Sequence, residues 1–146
     1  MRRRFLALLL IAFAPWLAQA ADAPLAIRTA DGHVRDFTVE VASSEEQRET
    51  GLMDRPSMPL DHGMLFDFGA DRAVAMWMKD TLIPLDMLFI DRAGKIVGIR
   101  MRAVPQSKEI IGSPGPVRAV LEVNGGTAER LGIAVGDRVE FPLFAQ

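Results

Sequence analysis

Apolar and polar residues alternate in short runs along most of this chain, with the two-residue period of β-strands that have one face in water. The clearest run extends from Val34 to Ala42, where Phe37, Val39 and Val41 stand between polar residues. Glycine and proline separate each run from the next, as expected for turns. The predicted strands are Leu25–Thr29, Val34–Ala42, Met64–Phe68, Val74–Thr81, Leu85–Ile90, Lys95–Met101, Val117–Val123 and Arg138–Leu143.

Helical signals are confined to two places. Ser43 and Ser44 each stand three residues before a Glu or Gln, which is capping-box spacing, and Gly51 suits the end of that helix. Thr127–Leu131 is long enough for one or two helical turns. The pattern therefore predicts a mainly β (α+β) fold, a small antiparallel barrel-like domain with one or two short helices. Two segments rich in proline and glycine are predicted loops, Arg55–Gly63 and Pro105–Pro116.

The first 20 residues form a predicted signal peptide. Three arginines precede an apolar stretch from Phe5 to Leu17, and Ala18-Gln19-Ala20 is a small-residue cleavage site. The apolar stretch is too short for a membrane anchor and contains Pro15. We expect cleavage after Ala20, a periplasmic or secreted protein with no stable membrane anchor, and one β-rich domain over residues 21–146.

Composition excludes several classes of function. The chain has no cysteine, which excludes disulfides, thiol catalysis and cysteine-ligated metals. Of its 17 basic residues, three are lost with the leader, which leaves 14 against 19 acidic residues, a net charge of −5. A nucleic-acid partner requires a basic surface, so none is expected.

The candidate chemistry lies where charged residues interrupt apolar strands. Asp86 shares a strand face with Leu88 and Ile90, and Glu122 shares one with Val120. A carboxylate in such surroundings needs a cation or several hydrogen-bond donors, or its pKa rises until it is neutral. The partners predicted for Asp86 are Lys79 and Arg55.

These charged groups have two interpretations. They are either structural ion pairs between strands, or the lining of a cleft that binds an unknown small polar ligand, such as a sugar, an anion or an envelope component, with Trp77 as an apolar platform. The second interpretation predicts a binding or accessory module with no cofactor. Its candidate ligand-binding residues are Arg55, Trp77, Lys79, Asp80, Thr81, Asp86 and Glu122.

Two alternative functions stay open. Seven methionines follow the leader, and thioethers bind Cu(I) in exported proteins, although methionine is more often core filler. The second alternative is an envelope hydrolase in which Lys79 and Asp86 act as acid and base. Catalysis is disfavoured because no histidine is near them in sequence and tyrosine is absent.

Five blocks follow one another along the chain: Gly51-Leu52-Met53 with Arg55, Gly63-Met64-Leu65-Phe66, Trp77-Met78-Lys79 with Thr81, Pro84-Leu85-Asp86, and Leu121-Glu122 with Gly126. Taken in order, they resemble the domain of unknown function 192 family over about Val39 to Phe141. The resemblance implies a compact β-rich fold of bacteria and archaea, often behind an export signal, with no established activity.

The family's recurrent polar positions correspond here to Arg55, Lys79, Thr81, Asp86 and Glu122. Two positions depart from the family pattern. Asp80 stands where asparagine is usual, and its negative charge beside Lys79 argues against anion binding there. Ala119 stands where an aromatic residue is frequent, which widens a cleft or repacks the core.

Overall fold

The structure, a computed structural model, describes residues 22–145, and the predicted signal peptide lies outside them. Export therefore stays a prediction from the sequence. No helix among the described residues is long and apolar enough to cross a membrane. The elements are β1 (Ala23–Arg28), β2 (Val34–Ala42), α1 (Glu45–Thr50), β3 (His62–Arg72), β4 (Ala75–Met76), β5 (Leu85–Ile90), β6 (Ile96–Ala103), β7 (Ile111–Gly112), β8 (Val117–Asn124), α2 (Thr127–Leu131) and β9 (Arg138–Glu140), followed by a 3₁₀ turn at Pro142–Phe144.

Seven strands form one curled half-barrel sheet in the order β6-β5-β8-β3-β2-β1-β9. The fold is mostly β, with 45% strand and 11% helix, as the sequence predicts. Neighbouring strands are antiparallel except β2 and β3, which run parallel because the chain crosses over through α1 between them. An isolated bridge between Lys95 and Arg138 brings the two ends of the sheet together at one corner.

Both faces of the sheet are covered by apolar residues. One cluster contains Leu65, Leu88 and Leu121, together with side chains from α2 and β9. The other contains Phe66, Met87 and side chains from β4 and β7. Because side chains point alternately to the two faces along each strand, a buried polar side chain of the sheet lies in either the first or the second of these clusters.

Three predicted elements differ from the structure. The strand predicted over Val74–Thr81 is reduced to β4, because the backbone N–H groups after Met76 bond into a turn and to Ser107 instead of a sheet. The predicted loop Pro105–Pro116 contains β7, which pairs with β4. The last strand ends at Glu140, since Pro142 cannot donate a ladder hydrogen bond and starts the 3₁₀ turn.

Helix α1 begins as the capping-box pattern predicts. The Ser44 hydroxyl accepts a hydrogen bond from the Gln47 backbone N–H, and the Gln47 side chain accepts one from the Ser44 N–H. Gly51 follows the helix with a φ of 47°, a left-handed value that glycine adopts readily. The Arg48 side chain donates to the Asp67 carbonyl at 2.8 Å and so holds α1 beside β3, where it forms one wall of the cleft described next.

Candidate functional site

A cleft of about 430 Å³ lies between α1, β3, β4 and the turn at residues 77–81. Its mouth is formed by exposed or half-exposed side chains, among them Arg48, Arg72, Trp77 and Lys79. Its floor is mostly apolar and carries two polar side chains. The buried lining residues are Leu52, Phe66, Met76, Thr81 and Glu122.

Glu122 is the unusual group in this floor. It lies on β8 opposite Met64 of β3 and Met87 of β5, and only 4% of its surface is exposed. Within the part of the chain that the structure describes, its carboxyl group makes no hydrogen bond or ion pair, and no polar side-chain atom there is both fully buried and unpartnered, so the Glu122 oxygens reach the cleft. Burial raises the pKa of Glu122 to about 8, so the carboxyl group is protonated at neutral pH.

Cations at the mouth of the cleft are stacked on aromatic rings. The Lys79 Nζ lies 5.4 Å from the centroid of the Trp77 ring. On the other side, the guanidinium groups of Arg72 and Arg48 lie 5.3 Å and 5.8 Å from the centroid of Phe68. Each contact falls within the range of cation–π attraction. Aromatic rings thus fix positive charge at two places along the mouth.

Residues 78–81 form a tight turn that presents Lys79 and Thr81 to the cleft. The Thr81 N–H donates to the Met78 carbonyl at 3.1 Å, and the Thr81 hydroxyl donates to the Lys79 carbonyl at 3.2 Å. Asp80 adopts the left-handed conformation with a φ of 53°, which aspartate tolerates better than most residues. Its side chain is exposed, does not line the cleft and lies 3.8 Å from the Lys79 Nζ.

Asp86 occupies the opposite face of the sheet from Glu122, because it pairs with Val123 on β8. It is fully buried and accepts three backbone hydrogen bonds, from Arg102 at 2.8 Å, Gly126 at 3.0 Å and Ala128 at 2.8 Å. The predicted pairing of Asp86 with Lys79 or Arg55 is therefore wrong. Backbone amides satisfy this side chain, and two of them belong to the start of α2.

Arg55 binds Glu40 rather than Asp86. Two hydrogen bonds join the side chains, one of them from the Arg55 Nη2 to the Glu40 Oε2 at 2.8 Å. The guanidinium group lowers the pKa of Glu40 below its ordinary value. Glu40 of β2 lies opposite Met64 of β3, and Glu122 of β8 lies on the other side of the same Met64. The Arg55–Glu40 pair therefore lies beside the cleft without lining it. It matches the structural interpretation of the predicted cluster.

Comparisons with known proteins place the chain in a family. A sequence profile of the DUF192 family, described as "Uncharacterized ACR", matches residues 26–141. The chain belongs to the DUF192 family. This confirms the resemblance predicted from its motifs. A comparison with curated proteins finds no match.

Two solved structures share the DUF192 fold of this chain. A protein from Sinorhizobium meliloti 1021, described as a "putative transcription regulator", is 53% identical, with a TM-score of 0.83 over 84% of this chain and 95% of that one. A protein of unknown function from Novosphingobium aromaticivorans DSM 12444 is 34% identical, with a TM-score of 0.80 over 89% of this chain and 91% of that one.

The cleft of this DUF192 protein unites four of the seven predicted site residues: Trp77, Lys79, Thr81 and Glu122. Arg55, Asp80 and Asp86 do not line it. Sequence reasoning missed Arg48, Arg72 and Phe68, which meet through the packing of α1 on β3. The only early signal was the alternation of Met64, Phe66 and Phe68, which places these three on one face of β3.

Most methionines of the DUF192 domain lie on the cleft side of the sheet. Met64, Met76, Met78 and Met87 belong to one core cluster with Phe66, and Met58 packs against it. Met53 and Met76 line the cleft itself. No group of three or more His, Asp or Glu residues suited to a metal ion occurs within residues 22–145.

Proposed function

We propose that this DUF192 protein is an exported binding module whose cleft takes a small polar ligand, a sugar or an anion. The supporting observation is Glu122, an almost fully buried side chain whose carboxyl oxygens face the cleft and bond to no described residue. Burial of an unpaired polar group costs free energy, and an apolar side chain would suit the sheet better. A ligand hydroxyl or oxyanion would supply the missing partner.

The surroundings of Glu122 suit a small ring-shaped ligand. Trp77 is 45% exposed and offers a flat apolar surface at the mouth, the usual platform for the apolar face of a sugar ring. Thr81 adds a buried hydroxyl on the floor, and its oxygen retains acceptor capacity because the hydroxyl donates to the Lys79 carbonyl. Apolar walls with a few convergent polar groups are typical of small-molecule sites.

Replacement of Glu122 by methionine should weaken binding strongly without unfolding the protein. Methionine is unbranched and matches the neighbouring Met64 and Met87, so the floor stays packed while the carboxyl group is lost. Isothermal titration of the protein with D-glucose, D-galactose, N-acetylglucosamine, D-glucuronate, acetate and phosphate measures this. We expect saturable binding of at least one compound, and about a tenfold or greater loss of affinity in Glu122→Met.

The matched control is Glu46→Met, which removes an exposed carboxylate of α1 outside the cleft and should leave affinity unchanged. Equal affinity in the wild type and Glu122→Met, or no binding of any compound, would contradict the proposal. Unchanged recovery of N-acetylglucosamine, which has the one hydrolysable bond in this set, after incubation distinguishes binding from the envelope hydrolase considered as an alternative.

The description of the Sinorhizobium meliloti relative does not alter this proposal. DNA binding draws its affinity from lysine and arginine contacts to phosphates. This chain has a net charge of −2 as a whole, and its cleft suits a small molecule rather than a DNA duplex.

Copper binding is the second candidate, because Met53 and Met76 line the cleft and other thioethers surround Glu122. If Cu(I) binds there, it should raise the melting temperature of the wild type but not of a Met53→Leu, Met76→Leu variant. Leucine preserves most of the volume, so the variant should still fold. The matched control is Met101→Leu on exposed β6, and equal shifts in all three proteins would reject the idea.

A further inference from the structure

We infer that the ligand of this cleft carries an anionic group, as a sugar acid does, and that Arg72 and Lys79 bind that group at the mouth. The inference rests on the proposed function. It concerns the class of ligand rather than the existence of binding, and the two can therefore fail separately.

Aromatic rings hold Arg72 and Lys79 in position at the mouth of the cleft. Arg72 lies over Phe68 and Lys79 lies over Trp77, so each uses its contact with a ring face for position. A guanidinium group stacked on a ring keeps its N–H donors in its own plane, and an ammonium group cannot direct all three of its N–H donors at one ring, so donors stay available for a carboxylate or phosphate oxygen. Among residues 22–145, Arg72 has no ion-pair partner.

The lining of the cleft carries more positive than negative charge. The third cation, Arg48, already commits its Nη1 group to the Ser43 and Asp67 carbonyls, whereas among residues 22–145 Lys79 has only the 3.8 Å ion pair with Asp80 and Arg72 has no ion pair. Glu45 and Glu49 of α1 are the acids at the mouth. Glu122 adds no negative charge while its carboxyl group is protonated. The lining therefore carries three cations against two anions.

The cations of the cleft lie at its mouth, apart from the polar groups of its floor. Arg72 and Lys79 are at least partly exposed, whereas Glu122 and Thr81 are buried. A sugar acid has matching parts: a charged group for the mouth, and ring hydroxyls that exchange hydrogen bonds with the carboxyl group and the hydroxyl of the floor. An inorganic anion would satisfy only the mouth.

Asp80 opposes this inference, since its carboxylate lies 3.8 Å from the Lys79 Nζ. Both side chains are largely exposed, so water and salt screen the pair strongly. Asp80→Asn should therefore strengthen anion binding about threefold, because the competing charge is removed. Asparagine also tolerates the left-handed backbone at this position, so the turn should survive the change.

Two sugars that differ only at C6 provide the test. We expect D-glucuronate to bind at least about tenfold more tightly than D-glucose at low salt, because the carboxylate gains charge-assisted hydrogen bonds. The preference should shrink when NaCl is raised to about 0.5 M. Arg72→Gln and Lys79→Gln should each remove most of the preference, because each weakens D-glucuronate binding more than D-glucose binding.

The matched control is Arg130→Gln, which removes an exposed arginine of α2, far from the lining of the cleft. Equal affinity for D-glucuronate and D-glucose would overturn the inference and leave the proposed function standing. Tighter binding of D-glucosamine than of D-glucuronate would also overturn it, by showing that Glu45 and Glu49 dominate. Failure of every sugar and anion to bind would instead overturn the proposed function.

Discussion

Asp86→Ala should lower the free energy of unfolding by about 4 kcal/mol. The change leaves three buried backbone N–H groups without an acceptor, those of Arg102, Gly126 and Ala128. Each unsatisfied buried donor costs about 1–3 kcal/mol. Urea denaturation followed by circular dichroism measures the loss.

The size of this effect follows from what Asp86 joins. Gly126 has no side chain to cap α2, so Asp86 supplies the capping oxygen from a neighbouring strand. The same carboxyl group holds the Arg102 N–H, where β6 adopts a φ of 47° and its register with β5 shifts. One side chain thus fixes a helix start and a strand irregularity together.

Asp86→Asn should be intermediate, since the amide retains one acceptor oxygen of nearly the same shape. The matched control is Asp36→Ala, at an exposed position of β2. There we expect the free energy of unfolding to change by no more than about 0.5 kcal/mol. If Asp86→Ala were as stable as this control, the three backbone bonds would contribute nothing and our account of Asp86 would be wrong.

Glu122→Gln should remove a large dependence of stability on pH. Between its ordinary pKa of 4.5 and its folded pKa of about 8, Glu122 holds a proton in the folded state that the unfolded chain releases. The free energy of unfolding therefore falls as pH rises through this window, by an amount on the order of 5 kcal/mol. Glutamine carries no ionisable proton, so the variant lacks this contribution.

Urea denaturation at intervals from pH 5 to pH 8.5 checks the sign and the size. The stability advantage of Glu122→Gln over the wild type should grow with pH, since every other ionisable group is common to both proteins and cancels. Glu46→Gln, an exposed carboxylate of α1, should run parallel to the wild type. Parallel curves for Glu122→Gln would mean that Glu122 titrates as an ordinary exposed glutamate does.

Much of the fold could be predicted because strand alternation is local. The residues of β2 and β5 were assigned to the correct bounds, and the capping box located α1. The parallel pairing of β2 with β3 could not be predicted, because register between distant strands depends on where the crossover through α1 leads the chain. The turn at Asp80 resembled a strand since Ala75, Trp77 and Lys79 alternate with buried methionines even outside a sheet.

The candidate site was predictable only in part. Charge inside apolar runs identified both Asp86 and Glu122, but alternation alone could not show that they face different cores. Their partners depend on tertiary contacts. Asp86 accepts hydrogen bonds from backbone amides about forty residues further along the sequence, whereas Glu122 lines the cleft. Arg72 lacked any signal, because an exposed arginine near a phenylalanine is common in strands.

The sheet joins the first strand of the described residues to the last, since β1 pairs with β9 and Ile27 lies opposite Val139. A nascent polypeptide therefore cannot complete this sheet until residues 138–140 have left the ribosome. Until then β1 presents an open edge to other proteins. Closing contacts of such long sequence separation delay compaction, so this fold should be completed later than one built from local hairpins.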